Sequence, residues 1–426
     1  MVSYVVVVND EAAQPNDPTQ IPPEAGTPPV AAVLAGAGAR GAYEAGALSV
    51  LLPALEKANL RPTMFFGTSA GSINATLFAS LAHLPAEVAA KEAVERWASV
   101  TKQNVMRPAL QSLPRVAVKY GASLLGLPAN VDALLDTGPL RETLQKSDLI
   151  NWNDLNNNVK SGVLTTVGVV ATEYCDGASG RSKVFYNTSD PSMRPGTDIA
   201  QAIDYVPTDL QGDHVLASSA IPAAFPPVLL NDGTDERWYM DGGVRLNAPL
   251  KPAITFGANT IVAIATDPQR FLPPPPGSAP ADAPQMQDAV DQVVHGLMSD
   301  RMIEDLENLY QVNDILTSVR LHDPALTVKN SSDRDLRNIK VIFCGPQSVG
   351  DLGRVAANSL SVIGQGFNMF RNLDLLLMYW LLGSGPRTRP DLISYILFEP
   401  EFIEEAIRLG QQHASSAIAA LSPPPG

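Results

Sequence analysis

The glycine-flanked serine at position 69 has the sequence context of a catalytic nucleophile. Ser69 lies two residues after Gly67 and two residues before Gly71, between a short apolar run and a helical pattern that extends towards Leu81. A serine at a sharp turn from a strand into a helix has a strained backbone and an exposed hydroxyl, and the helix N-terminus lies beneath the reacting atom. We therefore predict a nucleophilic serine. A glycine-rich turn without a catalytic role is the alternative.

A glycine-rich loop at the end of the preceding apolar run is a second candidate for chemistry. Such a loop, where it opens a helix, can present backbone N–H groups to negative charge. One interpretation is a dinucleotide site, which needs an acidic residue at the end of the next strand. That strand ends at Ser69 without a carboxylate, so an oxyanion loop of an acyl hydrolase is favoured. The loop consists of Gly36, Ala37, Gly38, Ala39, Arg40 and Gly41.

A serine nucleophile needs a base, and Asp241 is the best candidate. It follows a short apolar strand that ends at Met240, and it precedes Gly242 and Gly243. A poorly solvated carboxylate becomes a stronger base because burial disfavours its charge. An aspartate that only starts a turn is the alternative. We expect structural or surface roles for the histidines, which are His83, His214, His295, His322 and His413.

Short apolar and β-branched runs that alternate with helical patterns predict a mostly parallel α/β sheet. The carboxyl ends of adjacent parallel strands meet at one edge of such a sheet, where ligands bind. This arrangement places the glycine-rich loop beside Ser69. The predicted strands are residues 30–35, 63–66, 162–171, 183–186, 237–240, 260–265 and 339–343.

The distribution of proline and of apolar runs predicts four segments along the chain. Residues 1–29 are rich in proline and polar side chains and indicate a flexible N-terminal segment. Residues 30–267 form the predicted catalytic core, and residues 268–285 form a proline-rich linker. Residues 286–426 are predicted to be mostly helical and, through the strand at 339–343, to complete the core.

Composition excludes several classes of protein. The chain has 426 residues, a formal net charge of −14 and no dense run of lysine and arginine, which argues against a nucleic-acid binder. With two cysteines, neither a disulfide scaffold nor a cysteine-rich metal site is expected. We find no convincing metal cluster and expect no metal and no cofactor.

The motifs together resemble those of the patatin-like phospholipases, a family of lipid acyl hydrolases. The resemblance rests on GAGARG at 36–41, GTSAG at 67–71 and DGG at 241–243, with ASSAIPAAFPP at 217–227 and LLDTGPLRETL at 134–144. It spans residues 31–265, and the segment FEPEFIEEAIRLG near the C-terminus is similar to bacterial members. The resemblance implies a three-layer α/β/α fold with a mostly parallel central sheet and a helical C-terminal extension.

The same resemblance implies a mechanism. Ser69 would attack a lipid ester, Asp241 would take its proton and later activate water, and no metal would be needed. The oxyanion would be bound by the N–H groups around Ala37, Gly38 and Ala39, with Arg40 as an aid. One departure is Ala37, because many members have three consecutive glycines where this chain has Gly36, Ala37 and Gly38. An alanine serves equally well unless the position needs a positive φ.

Two alternatives to this function stay open at the level of sequence. One is a histidine-dependent α/β-hydrolase esterase, whose base would be His295, His322 or His413. The other is a lipid- or acyl-binding protein on the same scaffold, inactive because Ala37 spoils the loop. The sequence makes no prediction of the oligomeric state or of the preferred lipid head group.

A lipid hydrolase must reach a membrane or micelle. The segment LDLLLMYWLL at 373–382 carries interfacial aromatic residues and is one candidate contact, and residues 106–127 are a candidate lid. The longest strongly apolar run, residues 375–382, is too short to span a bilayer, and the N-terminus lacks the pattern of a secretory signal. We expect a cytoplasmic protein, peripheral at membranes when it acts, with signal-independent export as an open alternative.

Overall fold

The computed structural model describes most of the predicted core and four parts of the C-terminal region. The elements below are numbered in chain order within these residues. The predicted contact segment at 373–382, His295, and nearly all of the linker and of the candidate lid lie outside them. The described residues are 29–107, 135–146, 148–176, 180–222, 224–269, 302–323, 326–329, 335–363 and 389–421.

The strands form one nine-stranded sheet, whose main path runs in the order β5-β4-β3-β2-β1-β8-β9. β7 pairs with β3, and β6 pairs with β7. The strand bounds are β1 Val30–Leu34, β2 Met64–Thr68, β3 Thr166–Glu173, β4 Ser182–Thr188, β5 Ile203–Pro207, β6 Val228–Asn231, β7 Glu236–Asp241, β8 Thr260–Ile264 and β9 Lys340–Cys344.

The centre of the sheet is parallel, as predicted. β1 pairs in parallel with β2 and β8, β2 with β3, and β8 with β9. The antiparallel pairs are β3 with β4, β3 with β7, and β6 with β7. The chain proceeds from β1 to β2 on one side and later from β8 to β9 on the other. This change of direction between β1 and β8 is the place where open α/β sheets bind ligands.

Twelve named helices flank the sheet in the described residues. They are α1 Gly41–Lys57, α2 Ala70–Ser80, α3 Ala86–Ala98, α4 Lys102–Val105, α5 Gly138–Gln145, α6 Trp152–Lys160, α7 Gly212–Ser218, α8 Leu250–Thr255, α9 Met302–His322, α10 Asp351–Ile363, α11 Arg389–Ile393 and α12 Pro400–Leu421.

The side chains of β1 alternate between the two faces of the sheet, and their neighbours show the three layers. Ala32 and Leu34 belong to the core that also holds apolar side chains of α1, α2 and α12. Ala31 and Val33 belong to a second core on the opposite face, with side chains of α8 and α9. Because successive strand residues point to opposite faces, a strand buried on both sides needs the continuous apolar run that predicted it. The predicted three-layer α/β/α fold is confirmed.

The C-terminal helix packs closely on the first helix. A Cβ on Gly46 of α1 would lie 2.2 Å from the Ile407 carbonyl oxygen, and one on Gly410 of α12 would lie 2.1 Å from the Tyr43 carbonyl oxygen. The two glycines therefore allow the backbones of α1 and α12 to approach more closely than any larger residue permits.

The division of the chain into four segments stays a prediction.

Candidate active site

Ser69 lies at the turn between β2 and α2 in a strained backbone conformation. Its φ is +53° and its ψ is −126°, in a region that L-residues rarely adopt. The flanking glycines are required by close approach, since a Cβ on Gly67 would lie 2.0 Å from the Gly71 carbonyl oxygen. A Cβ on Gly71 would lie 2.4 Å from the Ala35 carbonyl oxygen. The predicted turn from strand to helix is thus present, with the serine at its apex.

The amide of Ser69 is held by a second serine. Ser69 N–H donates to Ser218 Oγ at 2.8 Å, and the Ser218 hydroxyl donates in turn to the Val170 carbonyl at 2.5 Å. Ser218 ends α7 and belongs to the ASSAIPAAFPP block. Because its hydroxyl is fully buried, it links β3 to the strained residue with no competition from water.

The side chains of Ser69 and Asp241 are in direct contact. Ser69 Oγ donates to Asp241 Oδ2 at 2.7 Å, and the Gly243 amide donates to Asp241 Oδ1 at 2.7 Å. Antiparallel pairing of β7 with β3 sets the position of Asp241, which is opposite Ala171. The Asp241 amide is also fixed, through a 2.8 Å bond to the Ala220 carbonyl.

Burial changes the acidity of Asp241. The residue is only 6% exposed, and loss of water raises its pKa to about 6, although the hydrogen bonds from Ser69 and Gly243 act in the opposite direction. A carboxylate with this pKa is ionised near neutral pH and is a better proton acceptor than a solvated aspartate. The pair therefore has the composition and the geometry of a nucleophile with its base.

Asn247 connects the DGG motif to the glycine-rich loop, and the sequence did not single it out. The Gly36 amide donates to Asn247 Oδ1 at 3.1 Å and to the Asn247 carbonyl at 3.2 Å. A Cβ on Gly243 would lie 2.8 Å from the same Oδ1 atom, and one on Gly36 would lie 3.2 Å from Ser69 Cβ. The first residue of the loop therefore lies beside the serine. The only sequence signal was a polar residue shortly after Asp241.

The amides of the glycine-rich loop divide into two groups. The Ala39 amide donates to the Tyr395 carbonyl at 2.7 Å, so this contact does not favour the predicted role of Ala39 as an oxyanion donor. Within the described ranges, the amides of Ala37 and Gly38 have no acceptor. Ala37 has φ −144°, which an alanine adopts without strain, whereas Gly38 has φ +55°. The departure from three glycines therefore does not distort the loop.

The guanidinium of Arg40 faces the C-terminal region. It is fully buried and lies 3.9 Å above the Tyr395 ring. Its Nε donates to Ser394 Oγ at 2.7 Å, and its Nη2 contacts Asp391 Oδ1 at 2.7 Å. Burial alone would lower the pKa of Arg40, but Tyr395, Asp391 and Asp267 outweigh this effect and raise it. The expected direct aid of Arg40 to the oxyanion is not what these contacts favour.

The described histidines form their hydrogen bonds with residues other than Ser69 and Asp241. His83 contacts Asn158, and His214 Nδ1 accepts from the Gln211 amide at 3.1 Å. His322 contacts the Ser318 carbonyl, and His413 contacts the Tyr43 hydroxyl at 3.0 Å. In the part of the chain that the structure describes, no histidine bonds to the serine or to the aspartate. The paired carboxylate is the base that the described geometry offers.

An apolar pocket of about 530 Å³ lies between β7 and the segment that follows α7. Trp238 and Met240 line it, and because side chains alternate along a strand they point to the face of β7 opposite to Asp241. The pocket lies within the size range of small-molecule sites. Its lining consists of Tyr174, Ala220, Pro222, Phe225, Pro226, Pro227, Trp238 and Met240.

A row of exposed apolar side chains lies at the rim of this pocket. Trp238 is opposite Leu229 in the β6–β7 pairing, and its carbonyl accepts from the Tyr174 amide. The three side chains are 49%, 42% and 55% exposed, respectively. Aligned apolar side chains that are half exposed indicate a contact surface.

The described residues contain no metal centre and no membrane span. No cluster of three or more histidine, cysteine, aspartate or glutamate side chains within them could hold a metal ion. Among the described helices, none combines the length and the apolar character that crossing a bilayer requires.

Comparison with known proteins identifies one family. The model of the patatin-like phospholipase family matches residues 32–254, slightly more than half of the chain. VipD from Legionella pneumophila has a similar crystal structure, with 12% identity, a TM-score of 0.27, and coverage of 91% of this chain and 68% of VipD. The structure of human GIVD cytosolic phospholipase A2 shows 14% identity and a TM-score of 0.31. The match covers 56% of this chain and 45% of the human protein. No curated protein matches the sequence.

Proposed function

Because this chain belongs to the patatin-like phospholipase family, we propose that it hydrolyses lipid esters with Ser69 as nucleophile and Asp241 as base. The resemblance inferred from the sequence motifs is thereby confirmed at the level of the family. The observation that carries the residue roles is the 2.7 Å hydrogen bond from Ser69 Oγ to a buried carboxylate. The expected activity is that of a phospholipase A or lysophospholipase, which releases a fatty acid.

The reaction proceeds through an acyl-enzyme. Ser69 Oγ attacks the ester carbonyl carbon while its proton moves to Asp241 Oδ2. The bond from the carbonyl carbon to the alcohol oxygen then breaks, and the alcohol leaves with the proton from Asp241. Water adds to the acyl-Ser69 ester and gives a proton to Asp241. The second intermediate releases the fatty acid as Ser69 Oγ takes that proton back.

The oxyanion donors are the amides of Ala37 and Gly38. Their N–H groups have no acceptor among the described residues, and the loop that carries them begins beside Ser69 Cβ. Donors held in place before the reaction lower the barrier because they need no reorientation as charge develops. One such donor contributes about 3 kcal/mol to a transition state.

The apolar surface at β7 supports a substrate with a long acyl chain. The 530 Å³ pocket has a mostly apolar lining, which suits an acyl chain. Each methylene group removed from water contributes about 0.8 kcal/mol to binding. The exposed row of Leu229, Trp238 and Tyr174 at the rim supports contact with a membrane or micelle surface. A cytoplasmic location with peripheral attachment to membranes stays a prediction.

The test of this function is hydrolysis of a panel of phospholipids, lysophospholipids and neutral glycerides by the wild type and by Ser69→Ala. We expect fatty-acid release by the wild type only, together with fluorophosphonate labelling that Ser69→Ala abolishes. Ser99→Ala is the matched control, because that hydroxyl is exposed and contacts only the Arg96 carbonyl. Activity that survives Ser69→Ala would refute the assignment. Labelling without lipid hydrolysis would refute the substrate class.

A further inference from the structure

The glycine-rich loop is in contact with residues 391–395, which lie outside the part of the chain that matches the family model. Tyr395 contributes its main chain, because its carbonyl accepts the Ala39 amide at 2.7 Å. The same carbonyl oxygen would lie 2.1 Å from a Cβ on Gly38. The backbone of this late segment therefore lies directly against the two residues that follow Ala37.

The side chain of Arg40 makes the second contact between the loop and this segment. A guanidinium has five N–H donors. Those of Arg40 face Ser394 Oγ at 2.7 Å, the Tyr395 hydroxyl at 3.1 Å, the Asp391 carbonyl at 2.9 Å, Asp391 Oδ1 at 2.7 Å and Asp267 Oδ1 at 3.8 Å. With its donors directed at these oxygens, the guanidinium is not aimed at the substrate.

We propose that Arg40 is a positioning residue, which holds residues 391–395 against the loop and thereby directs the amides of Ala37 and Gly38 towards the oxyanion. This inference rests on the proposed function. It differs from a direct role of Arg40 in charge stabilisation, because the cation acts through the main chain of Tyr395.

The peptide unit between Gly38 and Ala39 connects the Tyr395 carbonyl to the conformation of the loop. The Ala39 N–H belongs to that unit, so its bond to the Tyr395 carbonyl restricts rotation about the Gly38 backbone. Gly38 has φ +55° and has no Cβ to limit its conformations. A glycine held in one conformation by an external carbonyl keeps its own N–H in a fixed direction. When that carbonyl is displaced, the amide becomes free to turn away.

Burial makes the Arg40 contact strong enough for this purpose. The arginine is 1% exposed, and a buried charge without a partner costs several kcal/mol. The carboxylate of Asp391 at 2.7 Å and the face of the Tyr395 ring at 3.9 Å supply the partners. Displacing the segment would leave the cation without them, so the docked position of residues 391–395 is strongly favoured.

The test compares Arg40→Lys and Arg40→Ala with the wild type on a soluble short-chain ester. We expect kcat to fall by about 100-fold while KM changes less than twofold, as for the loss of one oxyanion donor. Millimolar guanidinium should restore part of the activity of Arg40→Ala, because it fills the vacated site. Arg61→Ala is the matched control, since Arg61 is partly buried and donates to the carbonyls of Ala82 and Leu84. Its kcat should stay unchanged.

Hydrogen exchange tests the proposal without a measurement of activity. Hydrogen exchange of a peptide that covers residues 36–43 should accelerate at Ala39 in Arg40→Lys and stay slow in Arg61→Ala. Folded Arg40 variants with unchanged kcat, or unchanged exchange at Ala39, would overturn the proposal. If Arg40→Ala does not fold, Ser394→Ala and Tyr395→Phe each remove one hydrogen bond, and unchanged kcat and exchange in both would overturn it equally. If the proposed function itself is wrong, hydrolysis will not depend on Ser69.

Discussion

The hydroxyl of Ser218 accepts the amide hydrogen of Ser69 and donates its own hydrogen to the Val170 carbonyl. The strained conformation of Ser69 is therefore fixed by a residue 149 positions later in the chain. This contact gives a physical role to the ASSAIPAAFPP block, which the sequence marked as a motif without an evident chemical function.

Ser218→Ala should destabilise the protein and slow catalysis. The change leaves the Ser69 amide and the Val170 carbonyl buried without partners, which costs about 1–3 kcal/mol for each group. We expect a lower midpoint of thermal unfolding and a lower kcat, measured on the same preparation. Ser219→Ala is the matched control, because the buried Ser219 hydroxyl has no hydrogen-bond partner in the described structure. Equal effects of the two changes would contradict this role of Ser218.

The activity should require ionised Asp241. Burial raises the pKa of Asp241 to about 6, and only the carboxylate form can take the serine proton. The value of kcat/KM on a soluble ester should therefore rise with pH through about 6 and then level off. A profile that is flat between pH 5 and pH 8 would show that another group is the base.

Asp241→Asn should abolish turnover and stabilise the fold above pH 6. Because the pKa is raised in the folded state from 3.8 to about 6, ionisation of Asp241 removes stability as the pH rises through this range. Removing the charge restores about 3 kcal/mol at pH 8 and little at pH 3. Thermal unfolding of both proteins at the two pH values measures the difference. A variant less stable than the wild type at pH 8 would contradict the assignment.

Two neighbouring positions in the glycine-rich loop should differ strongly in their sensitivity to substitution. Gly38→Ala places a Cβ 2.1 Å from the Tyr395 carbonyl oxygen at a residue with φ +55°, so we expect a large loss of kcat and of stability. Ala37→Gly should keep kcat within a few-fold, because φ −144° suits either residue. Kinetics on a soluble ester distinguish the two. A large gain in kcat from Ala37→Gly would mean that the alanine impairs the loop.

Trp238→Ser should weaken attachment to lipid and spare the chemistry. Trp238 is half exposed and lines the apolar pocket at β7, and indole rings favour the membrane–water interface. Flotation of the inactive Ser69→Ala protein with phosphatidylcholine vesicles should decrease when Trp238→Ser is added. Leu321→Ser is the control, because Leu321 is 80% exposed on α9, outside this row. Equal flotation of both double variants would exclude Trp238 from the contact.

The local motifs were predictable because each requires only a few adjacent residues. The turn at Ser69 is determined by a strand, a glycine-flanked serine and a helix, regardless of the rest of the chain. The buried strand that precedes the turn is a continuous apolar run in the sequence. The sequence also indicated Asp241 through its position at a strand end. Local pattern and tertiary structure agree at these positions.

The supporting contacts could not be predicted, because they join residues far apart in sequence. Tyr395 binds the loop through its carbonyl, which every residue type has, so no side-chain pattern marks it. For the same reason the bond that occupies the Ala39 amide was not predicted. The strands β5 and β6 were missed because they are short and only partly buried, so their apolar pattern is weak.

The docking of Tyr395 against the glycine-rich loop has a consequence during synthesis of the protein. A ribosome that has completed residue 254 must still add about 140 residues before Tyr395 exists, which takes roughly 10–30 s at ordinary elongation rates. During that interval the nascent chain carries Ser69 and Asp241 without the contact between Tyr395 and the glycine-rich loop. The contact that orders the glycine-rich loop can therefore form only long after the part that matches the family model has left the ribosome.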